Sequence, residues 1–324
     1  MQFQGAGRPP VGIVYDAGFG NTMDGALALA ALYGFQGKGE DRVIAVNCSR
    51  PGLDSAIFAD ILVRFYTGAP GPFAIAPAIG LALGKGAPEP AWVEAVVGKT
   101  AYPRNITKAN DTADPVAVFR NALTAQLDDN AIVFLGGPAT NLAQALDLPG
   151  VKELIEGKVR LLVTTLGNYP AGAADPQVRA DVRAARRVFA DWPGPIVAAG
   201  GELGGAIAFP GASIEKDFAW APDHPLVDAY RAAAPMPYDA PAPALAAALY
   251  AVRPKEGYFQ LSEPGTITAG DDGRVHFAPA PGGRHRYLIA DPAQQDRIRQ
   301  ILVEAVGTRP IPRAPRFRPP QKKQ

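Results

Sequence analysis

The stretch Tyr15 to Leu29 reads YDAGFGNTMDGALAL, an apolar run that ends in a glycine-rich turn and passes directly into a helical pattern. Asp16 closes the run, Gly18 and Gly20 allow close approach to the backbone, Asn21 or Thr22 can cap the helix, and Asp24 falls in its first turn. Such a turn is suited to a charged ligand, although the same residues also make a capped helix with an acid at its positive end. Three other turns share its character. LGGPATNLAQAL (135–146) places Gly136, Gly137 and Pro138 before a helix that starts near Thr140 and Asn141. A long polar connection, TTLGNYPAGAADPQVRADVRAARRVF (164–189), carries Asn168, Asp175 and Gln177, and AAGGELGGAI (198–207) carries Glu202. Four glycine-rich turns on one sheet edge point to a pocket, because open parallel sheets bind ligands beyond the carboxyl ends of their strands.

Other groups offer less chemistry. GFG after a strand opens a dinucleotide fingerprint, but the third glycine of that pattern would fall on Met23. The single cysteine, Cys48, lies in the apolar run RVIAVNCS with no histidine nearby and reads as a small buried hydrophobe. Of the three histidines, His276 and His285 read as surface structure in or near a hairpin, and His224 precedes a helix in APDHPLVDAY.

The elements that position the four turns follow from hydrophobic period. Continuous apolar runs at VGIVYD (11–16), RVIAVNCS (42–49), FAIAPA, AIVFLGG (131–137), VRLLVTTLG (159–167) and GPIVAAGG (194–201) alternate with helical segments. The fold class this implies is α/β, a mainly parallel, doubly wound open sheet covered on both faces. DVRAARRVFADW puts Ala184, Ala185, Val188 and Phe189 on one stripe and its arginines outside it. YFQLSEPGTITAGDDGRVHFAPA alternates apolar and polar residues around Asp272 and Gly273, a C-terminal antiparallel hairpin addition, and PAQQDRIRQILVEAVG is a closing helix.

Length and composition allow one elaborated domain over residues 1–308, with 48% hydrophobic residues in a chain of 324. Residues 309–324, RPIPRAPRFRPPQKKQ, read as a basic, Pro-rich, disordered tail. Lys plus Arg at 32 against Asp plus Glu at 31 supplies no overall field for nucleic acid, and no apolar run is long enough to span a membrane. The start, MQFQGAGRPP, has neither the basic nor the apolar part of a signal peptide, so a cytoplasmic location is the default expectation unless a leader has been trimmed.

The order of these segments resembles the inosine-uridine-preferring nucleoside hydrolase family, most closely a bacterial branch whose first loop reads D-T-D-M-G-N-D-V-D-D-A-L-A-L. GGPATNLAQAL is similar to that family's G-P-L-T-N-L-A segment, NYPAGAADPQVRADVRAARRVF to its Y-P-x-G-x-E-W-N-x-x-x-D-x-x-A-A-R-x-V-F run, and WPGPIVAAGGELGGAI to its W-P-x-P-I-V-x-x-G-x-E-x-G-x-A-I run. The resemblance extends over most of residues 11–290. It implies a calcium-dependent N-glycosidase in which aspartates hold Ca²⁺, the metal orients a water, and an aspartate takes its proton. Ca²⁺ takes about six to eight oxygen ligands, several of them anionic, and an oxocarbenium-like centre needs nearby negative charge.

Aligned with that pattern, Asp16 and Asp24 remain, whereas Gly18, Thr22 and Gly25 stand where the family has aspartates. The family's late aspartate falls on Ala244, with Asp239 nearby but out of register. Asp175 and Gln177 stand at the ribose-holding E-x-N. Asn141, Asn168 and Glu202 remain as polar ligand candidates beside Asp16 and Asn21, and Asp24 is the candidate base. The remaining metal candidates are Asp16, Asp24 and the Gly136 carbonyl, too few carboxylates for a strong Ca²⁺ site. The resulting expectation is a weak or non-catalytic homologue that binds ribose or a ribonucleoside, and the alternative is an active N-glycosidase rebuilt around Asp24. The resemblance also implies a homo-oligomer.

Overall fold

In the computed structural model of the chain, residues 9–20, 22–68, 77–82 and 89–310 are described. Asn21, most of the FAIAPA run and the tail beyond Pro310 lie outside them. The strands are β1 (Val11–Ala17), β2 (Asp41–Cys48), β3 (Ile79–Leu81), β4 (Ala131–Gly136), β5 (Val159–Thr164), β6 (Ala171–Ala174) and β7 (Ile196–Ala198). They continue with β8 (Ala208–Phe209), β9 (Ala240–Pro241), β10 (Phe259–Leu261), β11 (Gly265–Ala269), β12 (Arg274–Pro279) and β13 (His285–Ala290). One sheet runs in the order β3-β2-β1-β4-β5-β7-β13-β11-β12-β6, with β10 paired to β13, while β8 and β9 pair separately.

From β3 to β13 this sheet is parallel, and β11, β12, β6 and β10 join it antiparallel. The expected α/β architecture is therefore present, with an antiparallel extension larger than a hairpin. The reason is that β13 returns beside β7 in parallel, and β6, part of the long polar connection, pairs with β12.

Strand alternation sorts the core into two layers. Ile13, Tyr15 and Ala17 pack with the helices Met23–Gly37, Leu53–Thr67, Pro243–Val252 and Gln295–Val306. Val14 packs on the other face with Pro115–Thr124, Thr140–Ala145, Val151–Lys158 and Val182–Asp191. In the last of these, Ala184, Ala185, Val188 and Phe189 are the buried stripe, as their spacing requires. Helix Met23–Gly37 is different: nearly every residue to Phe35 is buried, so it runs through the core and cannot be amphipathic.

This burial makes two of its glycines unlike. A Cβ on Gly34 would collide with the backbone carbonyl of Ala305, so the glycine lets two helices meet backbone to backbone, whereas a Cβ on Gly25 would first meet Tyr15 Oη at 3.5 Å, an ordinary contact. Gly34→Ala should cost about 2–3 kcal/mol in urea denaturation because the helices must part. Gly25→Ala should be neutral or stabilise by up to about 1 kcal/mol through helix propensity.

Candidate functional site

The parallel strands end at one edge, and there the turns after β1, β2 and β4 touch. A Cβ on Gly137 would collide with both the Gly18 amide and Ser49 Oγ, so only glycine fits between them. Gly20 has φ +100° and is pressed by Arg50, whose Nη1 lies 2.5 Å from where its Cβ would stand. Arg50 pairs with Glu89 at 3.0 Å, both nearly buried, and Ser55 Oγ donates to the Phe19 carbonyl at 2.7 Å. A buried ion pair and a hydroxyl thus fix the first turn from the β2 side.

Asp16 is fully buried and stands beside Asn47 of β2 and Leu135 of β4 in the sheet register. Its Oδ2 accepts from Asn141 Nδ2 at 3.0 Å. Burial pushes the carboxyl up to about 7, and Asn141, Ser49 and Asn47 offset this only in part. Among the described residues, Asp16 Oδ1, Asn47 Oδ1 and Asn141 Oδ1 are buried without a hydrogen-bond partner, and the Ser49 hydroxyl lies close enough to act on Asp16. Asn47 Nδ2 is committed to the Pro115 carbonyl at 3.1 Å, so its oxygen cannot exchange places with the nitrogen. The result is a cluster of buried oxygens in which the Ser49 hydroxyl is the one group with a proton to give. Asn141 does not cap its own helix, because its amide acts as a strut on Asp16.

Asp24 belongs to the opposite face. Its Oδ2 accepts from the Ala244 amide at 2.8 Å, at the start of helix Pro243–Val252, while its Oδ1 is buried and unpartnered. Burial raises this carboxyl also to about 7, against the hydrogen bonds of the Ala244 and Leu245 amides. Both aspartates act on the buried Tyr15 hydroxyl, whose pKa they help to raise. Gly25 and Gly136 both pack on Tyr15, whose hydroxyl donates to the Gly25 carbonyl at 2.9 Å.

The third and fourth turns interlock. Asp175 accepts from the amides of Gln177 at 2.7 Å, Val178 at 3.1 Å and Gly167 at 2.7 Å, so it caps the helix Pro176–Ala180 and ties it to the end of the β5 turn. Gln177, half-buried, begins that helix. Glu202 Oε2 accepts from the Tyr169 amide at 2.9 Å, and Asn168 Nδ2 reaches the Ala173 carbonyl at 3.4 Å. Asn168, Asp175 and Glu202 therefore form one group.

Asp239 and His224 lie elsewhere. Asp239 accepts from the Gly211 amide at 2.9 Å. His224 is enclosed by Phe65, Phe218 and Trp220, against the last turns of helix Leu53–Thr67 and so toward the opposite edge of the sheet. Burial pushes its pKa down to about 3, and neither ring nitrogen has a partner. His285, read as surface structure, is buried and its Nδ1 accepts from the Ile267 amide. Sequence reading missed Asn47, Ser49 and Arg50; the signal was a run of polar residues closing the apolar strand VIAV.

The donor set does not fit Ca²⁺. Among the described residues no three of His, Cys, Asp or Glu gather as metal ligands. Asp24 already faces the amides and positive end of a helix, a field that favours an anion over a cation.

The sequence matches no protein-family model and no curated protein. Solved structures do match. A plant nucleoside hydrolase, PpNRh1, superposes with TM-score 0.70 at 17% identity over 92% of this chain and 99% of its own. An inosine-guanosine nucleoside hydrolase gives 0.68 at 16% over 91% and 98%, and the purine-preferring ribonucleoside hydrolase of Gardnerella vaginalis gives 0.67 at 15% over 91% and 99%. Along nearly all its described length, the chain has the nucleoside hydrolase fold.

Proposed function

We propose that this is a nucleoside hydrolase-like protein, divergent from the inosine-uridine-preferring type, that binds ribose or a ribonucleoside at the C-terminal edge of the sheet and does not hydrolyse it by the calcium mechanism. One observation carries this reading: where the resemblance requires a third carboxylate, Ala244 presents its amide to Asp24. The oxygen acceptors beside Asp16, and Oδ1 of Asp24, suit the donor hydroxyls of a sugar. Asp175 is committed through both oxygens to three backbone amides, so it is not free to rebuild a metal site.

A second reading, hydrolysis with Asp24 as general base, is favoured by the position of its pKa near 7, which suits a base at neutral pH. The two readings part in one assay. Protein incubated with a nucleoside panel, with and without Ca²⁺, should release no reducing sugar, while ribose or a nucleoside should raise Tm. Release that climbs through pH 7 and disappears in Asp24→Asn would establish the second reading instead. The triple variant Gly18→Asp, Gly25→Asp, Ala244→Asp should gain a Ca²⁺-dependent rise in Tm that the parent chain lacks.

Stability should carry an independent signature. Asp16 and Asp24 have folded pKa values above their unfolded ones, so their contribution is full below the ordinary carboxylate range and is lost as pH rises through about 7. His224 is depressed, so its contribution is full above the ordinary imidazole range and is lost as pH falls toward 3. Asp16→Asn should therefore gain about 1–3 kcal/mol at pH 8 relative to pH 5, and His224→Phe a similar amount at pH 4.5 relative to pH 8, read from urea midpoints.

A further inference from the structure

A cavity of about 590 Å³ opens between helix Val182–Asp191 and the strands β11 and β13. Trp192 and the residues after it lead into β7, and His285 starts β13, so this cavity lies at the other end of the parallel strands. It exists because the sheet splays there. β11 and β13 pair only at Gly265 and His285, and past that point the chain between β12 and β13 turns away. The freed edge of β11 is met by side chains: the Ile267 amide donates to His285 Nδ1 at 2.9 Å, and Arg186 Nε donates to the Ala269 carbonyl at 2.8 Å. A Cβ on Gly283 would collide with the backbone of Gly265, so no side chain can fill the gap from that position.

The lining is rich in donors. Because Nδ1 of His285 accepts, Nε2 carries the proton of the neutral ring, and it has no hydrogen-bond partner among the described residues. His285 is only 8% exposed, and both burial and the adjacent Arg284 guanidinium hold its pKa down, which keeps the ring neutral and the donor in place at pH 7. Arg284 reaches the Pro193 carbonyl and is otherwise exposed. Arg186 also lines the cavity and shares its charge with Asp271 at the rim. Trp192, nearly buried, leaves its indole N–H without a partner, and Phe189 lies beside it on the cavity wall. Among the described residues no carboxylate lines the space.

We propose that this cavity binds a small organic oxyanion, its phosphate or carboxylate between Arg284 and His285 and its planar or apolar body against Phe189 and Trp192. Guanidinium and imidazole N–H groups together recognise such an oxyanion, and a volume of this size accommodates a compact metabolite.

The test is calorimetric titration of the whole chain with phenyl phosphate, benzoate, inorganic phosphate and benzyl alcohol. Phenyl phosphate or benzoate should bind at one site per chain and more tightly than inorganic phosphate, and whichever of the two binds better identifies the head group. Benzyl alcohol should not bind. Arg284→Ser, which removes an exposed side chain, should weaken binding about tenfold. Thr268→Trp, an exposed strand position lining the cavity, should abolish it with Tm unchanged. Absence of binding by both aromatic anions at about 10 mM, equal binding of benzyl alcohol, or full binding retained in a folded Thr268→Trp protein would each overturn the proposal. None of these outcomes bears on the nucleoside reading, which concerns the opposite edge.

Discussion

The hydrogen bond from the Ala244 amide to Asp24 joins the first helix of the chain to a helix begun more than two hundred residues later. It does three things at once. It satisfies one of the amide groups that a helix start leaves open, it fixes the packing of two largely apolar helices, and it decides what the end of the sheet can bind. A carboxylate at the amino end of a helix is already answered electrostatically, so burial, and not a neighbouring charge, is what lifts its pKa. A cation placed there would have to compete with the helix for the same oxygen.

The second constraint is the pleat of β1. Tyr15 and Ala17 belong to one core and Val14 to the other, so Asp16 is directed toward Asn141 and away from the layer in which Asp24 is anchored. The two aspartates are close in sequence, yet each is held by elements on its own face of the sheet. Each is desolvated independently, with one oxygen bonded and one left over. The spare oxygen of each can take a hydroxyl or a proton. They make a poor cage for an ion that needs several anionic oxygens around one centre.

The fold was legible because its signals are local and periodic. Apolar runs with both faces covered, the stripe of Ala184, Ala185, Val188 and Phe189, and the Asp272–Gly273 turn each appear where their pattern puts them. The site was less legible, since the roles of its residues depend on contacts between distant segments. Nothing near Asp175 in the chain announces that the Gly167 amide will bind it, and Ala244 acts through a backbone group that has no side-chain signature. Asn47 and Ser49 were hidden by the assumption that a strand ending in Cys48 is uniformly apolar. His285 was misread because a basic, glycine-flanked strand start looks exposed, while the splay of β11 from β13 turns its ring inward to replace a missing ladder bond.

The two ends of the parallel strands therefore differ in what they lack. At the carboxyl end, one buried oxygen each on Asp16, Asn47, Asn141 and Asp24 has no donor among the described residues. At the amino end of β7 and β13, the indole N–H of Trp192 is buried with no acceptor among the described residues, and the imidazole of His285 turns its second nitrogen to the cavity it lines. Unpaired buried polar groups cost about 1–3 kcal/mol each in water-excluded surroundings, and the opposite sign of the deficit means that one guest chemistry cannot serve both ends. A neutral polyol answers the first and an oxyanion the second, so the sheet separates two ligand classes by where its strands stop and where they part.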